Sequence, residues 1–257
     1  MNQSERRHYL INTLLDENVS YRGMDIPGDE DGQKRLLRSL MNVRIAKPIS
    51  DEFIKLQDEY LKEELGKKHV TTLDEMEELQ PGIYVWQGDI TTLKVGAIVN
   101  AANSGMTGCY QPCHACIDNC IHTYAGIQLR LKCDDIMKKQ GHEEPTGQAK
   151  ITPAYNLLCD YVLHTVGPII YDKVRKEDEE LLASCYENCM RLADENGVES
   201  IAFCCISTGV FRFPNDRAAQ IAVDTVKNCM KKYKGINHVV FNVFKDDDLN
   251  IYLKLLS

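Results

Sequence analysis

The sequence predicts a three-layer α/β/α domain with a mixed, mostly parallel sheet, preceded by an N-terminal helical extension. Three observations carry this reading. From about residue 82, apolar runs of strand length alternate with longer stretches of helical periodicity, the pattern of a sheet covered by helices on both faces. Ile201–Ile206 is a continuous apolar run, as a central strand buried on both sides requires. Residues 1–75, by contrast, show helical spacing alone.

In the extension, Leu10, Ile11, Leu14 and Leu15 share one helical face. Leu36, Leu37, Leu40 and Met41 share a second, and Phe53, Leu56, Tyr60 and Leu61 a third. Gly23, Pro27, Gly28, Gly32 and Pro48 punctuate the connections. The charged faces read as solvated surface. Residues 76–257 form the second unit. Strands are expected at Ile83–Trp86, Ala97–Val99, Ala149–Thr152, Tyr161–Val166, Ile201–Ile206 and His238–Phe244. Helices are expected at Ile117–Lys139, Lys176–Glu195, Pro214–Tyr233 and Asp246–Leu255. Pro214 suits a first helical turn, where its missing amide hydrogen costs little. Ligands of such sheets bind outside the carboxyl ends of the strands, at a switch in strand order.

The chain has 257 residues and a net charge of −8, with no lysine- or arginine-rich run, so no nucleic-acid partner is expected. A nucleotide ligand stays compatible, because backbone amides can hold a diphosphate. Residues 1–17 carry charges throughout, and no apolar run is long enough to span a bilayer. The expected setting is cytoplasmic, without a membrane. There the eleven cysteines should stay reduced, which directs attention to metal binding or burial rather than disulfides.

Four loops after strands carry the chemistry. In Gly88-Asp89-Ile90-Thr91, Asp89 either caps a turn or accepts a hydrogen bond from an exocyclic amine. Asn100–Ile121 packs two asparagines near its start, then four cysteines, a histidine and Asp118. Within it, Cys109, His114 and Cys116 offer two thiolates and an imidazole, a set that zinc favours. Cys113 or Cys120 could close a four-ligand structural site; three protein ligands would leave an open position. Asp118 either caps the following helix or points into the cleft, and Asn103 either forms a turn or holds a ribose hydroxyl. The stretch Thr146–Thr152 reads as structural, and His164 reads as a satisfied core histidine. Last, Ser207-Thr208-Gly209-Val210-Phe211-Arg212-Phe213-Pro214 joins a strand to a helix N-terminus, where successive amides suit a diphosphate. Phe211 and Phe213 either stack on a ligand or pack.

Gly88-Asp89-Ile90, Asn100-Ala-Ala-Asn103-Ser104, Gly147–Thr152, Gly167-Pro168 and Ser207–Phe211 stand in the order seen in macrodomains. The resemblance covers residues 82–257. With the cysteine-rich insert and the helical extension, the chain resembles the zinc-containing macrodomains, microbial protein-ADP-ribose hydrolases. The resemblance implies that Asp89, with Ile90 beside it, meets the adenine amine. It implies that Ser207, Thr208, Gly209, Val210 and Phe211 cradle the diphosphate and that Asn103 holds the distal ribose. Cys109, His114 and Cys116 would bind Zn2+. Asp118, in Ile117-Asp118-Asn119-Cys120-Ile121-His122, falls where related hydrolases carry a functional aspartate, but the glycine run that usually precedes it is absent here. Arg212 stands where glycine is common. The implied activity is removal of mono-ADP-ribose from modified protein side chains, as an ester to Asp or Glu, with Asp118 and Asn103 catalytic. The implied partner is an ADP-ribosylated protein, such as a lipoate-linked glycine-cleavage carrier protein. The competing reading is a non-catalytic ADP-ribose reader with a structural zinc.

Overall fold

The computed structural model describes all 257 residues, Met1–Ser257. The extension forms three helices, α1 (Gln3–Glu17), α2 (Glu30–Val43) and α3 (Asp51–Gly66). Asn2, Asp29 and Ser50 cap them, each side chain accepting an amide hydrogen of the first turn. Gly32, expected in a connection, lies inside the first turn of α2, its amide donating to Asp29 Oδ1 at 2.8 Å. The three apolar faces meet in one cluster of twelve buried residues, whose only member outside the extension is Ile127. The extension therefore has a core of its own, which reaches the second unit's apolar side chains only at Ile127.

That unit has seven strands: β1 (Glu78–Gln80), β2 (Ile83–Gln87), β3 (Ala97–Ala101), β4 (Ala149–Pro153), β5 (Tyr161–Thr165), β6 (Ser200–Phe203) and β7 (His238–Val243). Their order is β1-β2-β7-β6-β3-β5-β4. The five inner strands are parallel, and β1 and β4 run antiparallel at the two edges. The three-residue β1 breaks register against β2; it is too short for an alternation pattern to announce it. Helices α4 (Ile117–Ala125), α5 (Ile127–Gln140), α6 (Lys176–Glu195), α7 (Asn215–Lys232) and α8 (Asp246–Leu256) complete the unit. No helix is long and apolar enough to cross a membrane.

Two expectations need correction. The helix expected over Ile117–Lys139 is two helices, broken at Gly126, whose φ of +95° lies in the region that favours glycine. The break is filled from outside. Gln57 on α3 is fully buried, and its Oε1 accepts the amide hydrogen of Ile127 at 3.0 Å. Asn156 Nδ2 donates to the last carbonyl of α4, Ala125, at 2.9 Å. A Cβ at residue 126 would strike the Gln57 side chain. The strand expected over Ile201–Ile206 ends at Phe203, because Cys204–Ile206 already turns into the following loop.

Because the five inner strands are parallel, β2, β3, β5, β6 and β7 all end on one edge of the sheet. The loops beginning at Gly88, Ala102, Val166, Cys204 and Phe244 therefore converge there. Strand β3, flanked by β6 and β5, is where the strand order switches.

Candidate active site

At the centre of this edge, Asp118 lies in the first turn of α4 and is only 5% exposed. It does not cap the helix; Cys116 does, its sulfur accepting the Asn119 amide hydrogen at 3.4 Å. Asp118 instead faces β3. Its Oδ1 accepts from Asn100 Nδ2 at 2.8 Å and its Oδ2 from Asn103 Nδ2 at 3.3 Å. Burial raises the Asp118 carboxyl to about 6, with the Asn100 hydrogen bond, Arg130 and Asn103 opposing the rise. The site thus holds a carboxylate basic enough to take a proton near neutral pH.

Asn103 takes the turn alternative, and its position leaves it open to a ligand. Its Oδ1 accepts the Gly105 amide hydrogen at 3.0 Å, an Asx turn, while its amide group reaches Gly108 O and Asp118. The side chain is exposed and can meet a ligand as well.

One turn beyond Asp118 lies His122, which carried no assigned role in the sequence although its i+4 spacing signalled the contact. Its Nε2 is 3.6 Å from Asp118 Oδ1. Both ring nitrogens are buried without a hydrogen-bond partner. Burial, then His164 and Arg130, hold it well below the usual imidazole range, so it is neutral.

Cys109, His114 and Cys116 come together, their ligand atoms all within 4.8 Å of one another, with Cys109 Sγ 3.8 Å from His114 Nδ1. Burial raises the Cys116 thiol, and the neighbouring Cys109 and Asp118 add to that. A divalent cation would offset this cost, so the donor set fits zinc. Cys113 and Cys120 do not close the set. Cys113 Sγ lies 3.2 Å from Ser39 Oγ, and Cys120 Sγ accepts from Arg38 Nη2 at 3.6 Å. Both thiols face α2, which leaves a three-residue set.

A second group, His122, Cys133 and His164, is fully buried. Its geometry disfavours a metal. Asn100 Nδ2 donates to Asp118, so the same NH2 group also donates to His164 Nδ1 at 3.1 Å. Nε2 of His164 must then carry the hydrogen, which it gives to Thr152 Oγ1 at 3.0 Å. His164 is a satisfied core histidine.

Beyond β6, Ser207 and Arg212 adopt positive φ, +66° and +58°. The loop closes on itself through Phe213 N to Ser207 O and Arg212 N to Gly209 O, both 3.0 Å. The amides of Ser207, Gly209, Val210 and Phe211 have no acceptor within the protein, and Ser207 Oγ is buried without a partner. Such a row of amides can take an anion. Thr208 Oγ1 is used internally, donating to Cys205 O at 3.0 Å. Phe213 is buried and packs; Phe211 is half-buried. Gly167, on the neighbouring loop, leaves room for Ser207, since a Cβ there would land on Ser207 Oγ.

At the other end of the edge, Asp89 caps the turn Ile90–Thr92, accepting from Thr91 N at 3.0 Å and Thr91 Oγ1 at 2.6 Å. Its Oδ2 pairs with Lys68 Nζ at 3.1 Å. Ile90 is buried beside it. Phe244, missed in the sequence because it merely extends the apolar run of β7, is 78% exposed. The Val243 carbonyl accepts from Gly88 N and the Phe244 carbonyl from Gln87 Nε2, which ties the Phe244 backbone to the end of β2, just before the Asp89 turn. An exposed aromatic beside a turn carboxylate suits a planar base.

Residues 99–222 match the Macro domain family. The chain is 60% identical to a protein-ADP-ribose hydrolase of Treponema medium, over the whole length of both chains. It is 49% identical to a protein-ADP-ribose hydrolase of Staphylococcus aureus (strain COL), covering 96% of this chain and 93% of that one. Among solved structures, it is similar to the Trypanosoma brucei macrodomain in complex with ADP-ribose, with TM-score 0.68 and 26% identity, covering 86% of this chain and 95% of that one.

Proposed function

The chain belongs to the macrodomain family, and on that premise we propose that it is a protein-ADP-ribose hydrolase whose reaction centre is Asp118 together with a zinc held by Cys109, His114 and Cys116. The observation that carries this is the setting of Asp118. It is buried, held by two amide donors, and placed two residues after the last sulfur of the three-residue metal set.

In this reading the adenine lies between Asp89, Ile90 and the Phe244 ring. The diphosphate takes the free amides of Ser207, Gly209, Val210 and Phe211, while Thr208, whose amide already donates to Cys205 O at 3.5 Å, shapes the turn. Asn103 meets the distal ribose and fixes one oxygen of Asp118 at the same time. These contacts hold the scissile bond in place, which supplies much of the rate advantage. Asp118 orients a water and takes its proton. When bound, zinc supplies Lewis-acid polarisation beside that carboxylate. Water is consumed, and free ADP-ribose and the unmodified side chain result. The substrate bond we assign is an ester to Asp or Glu. The target we carry forward from the sequence resemblance is a lipoate-linked glycine-cleavage carrier protein. We divide the chain into a helical extension, residues 1–75, and the macrodomain, residues 76–257.

The test is release of ADP-ribose from carboxylate-linked and serine-linked ADP-ribosyl proteins by zinc-replete protein, beside Cys116→Ala. Release from the ester substrate alone, lost in Cys116→Ala while ADP-ribose binding survives, is the expected result. Binding without release from either substrate would make the chain a reader.

A further inference from the structure

The metal loop, Thr107–Cys116, has no regular secondary structure, yet its backbone is held at many points. Two of the holding groups come from outside the macrodomain. Asn42, at the end of α2 and buried, accepts the amide hydrogen of Cys113 on its Oδ1 at 2.9 Å. Its Nδ2 donates to Thr123 of α4, also at 2.9 Å. Arg38, one turn earlier, donates through Nη2 to the His114 carbonyl at 2.8 Å and to Asn119 Oδ1 at 2.9 Å. The peptide that follows His114 and the one that enters Cys113, just before it, are therefore anchored to α2. Cys113 itself has φ +52°, a conformation that costs energy in a residue with a Cβ and persists only where the surroundings enforce it. Its amide is held by Asn42, 71 residues away in sequence.

The tie runs both ways. Arg130 of α5 is buried, and its Nη1 donates to the carbonyls of Met41, Asn42 and Arg44 at the end of α2. Its Nε donates to Thr107 O at 2.7 Å, and its Nη2 reaches Cys109 O at 3.4 Å. One guanidinium thus closes the last turn of α2 and the first turn of the metal loop together. Asn119, which Arg38 holds, in turn donates to Cys109 O and Gln111 O.

We infer that the N-terminal helical extension is a template for the metal loop: Arg38 and Asn42 on α2 place His114 against Cys109 and Cys116, so that metal binding and docking of α2 strengthen one another. This rests on the assignment of those three residues as metal ligands. Arg38 and Asn42 are positioning residues, since Arg38 acts on His114 through its own carbonyl and Asn42 through the backbone of the preceding residue. Coupling of this kind is reciprocal by linkage, whichever site is perturbed.

The experiment uses the full-length chain and Co2+ as probe, read by the thiolate-to-cobalt absorption band, with hydrogen exchange of α2 measured with and without Zn2+. Arg38→Gln should bind Co2+ about 10- to 100-fold more weakly, the usual cost of losing a group that orients a ligand. Arg38→Lys, which keeps one donor and the charge, should recover part of that loss. Arg35→Gln, with an exposed side chain on the same helix, should match wild type. Zn2+ should slow exchange across α2 in wild type and much less in Arg38→Gln. Wild-type Co2+ affinity in Arg38→Gln, or α2 exchange indifferent to Zn2+, overturns the template while leaving the metal assignment intact. A wild-type protein that gives no thiolate–cobalt band overturns the metal assignment and the template with it.

Discussion

The two ends of the cleft are built from different materials. The proposed reaction end is made of side chains that hold one another by hydrogen bonds: Asp118, buried, between Asn100 and Asn103, and the metal loop pinned by Arg38, Asn42 and Arg130. The binding end is made of backbone amides without internal acceptors and of an exposed ring, Phe244. A catalytic carboxylate needs a fixed position and a shifted pKa, and burial supplies both. A diphosphate cradle needs only donors that point outward, which any side chains can carry provided the backbone turns correctly. Substitutions at the reaction end should therefore lower kcat, and those at the binding end should raise KM.

Asp118→Asn gives the largest expected effect. Both neighbours of Asp118 donate, so an amide at 118 must turn its own NH2 toward one of them. It also lacks the basicity that general-base work requires. We expect kcat to fall roughly 10²- to 10⁴-fold, with ADP-ribose affinity by calorimetry within a few-fold of wild type. A parallel loss of affinity would erase the division between the two ends.

Gly167→Ala tests the cradle. The added methyl collides with Ser207 Oγ and Ile206, so the loop must shift. A displacement near 1 Å in a positioning loop can cost on the order of 10²-fold in kcat/KM. The loss should fall chiefly on KM. Phe244→Ala should cost about 1–3 kcal/mol of ADP-ribose binding, the worth of stacking one base. It should leave single-turnover release unchanged at saturating substrate. A fall in the saturated rate would place the ring in the chemistry instead of the binding.

Much of this division could be read in the sequence, because its loops are contiguous motifs at strand ends. The Cys109, His114 and Cys116 set stands out by residue type, and the Ser207–Phe211 loop by its small residues before a helix, whereas spacing leaves Asp118 open between cap and cleft and its role comes from the family resemblance. What could not be read depends on contacts between distant residues. The break at Gly126 is a lone glycine inside a helical pattern, and its cause, Gln57, lies 70 residues from the Ile127 amide it caps. The pairing of Lys68 with Asp89 and the grip of α2 on the metal loop have the same character. Periodicity finds which face of a helix is buried, but not what that face touches. Phe244 was hidden differently: an aromatic at the end of an apolar run reads as more strand, and only its exposure distinguishes it.

The smallest effect sharpens the comparison from the stability side. Arg212 sits at φ +58°, in the left-handed region that disfavours residues with a Cβ by about 1–2 kcal/mol. Its side chain is exposed and makes no hydrogen bond that offsets this. Glycine at 212 would relieve the strain but widen the unfolded ensemble, costing roughly 0.5–1 kcal/mol of the gain. Arg212→Gly should therefore stabilise the protein by at most about 1 kcal/mol, read as a higher urea midpoint at unchanged m-value. With its amides still turned outward, the loop should keep its ADP-ribose affinity within a few-fold. A marked loss of affinity without loss of stability would show that the strained arginine stiffens the cradle, and that rigidity matters at the binding end too.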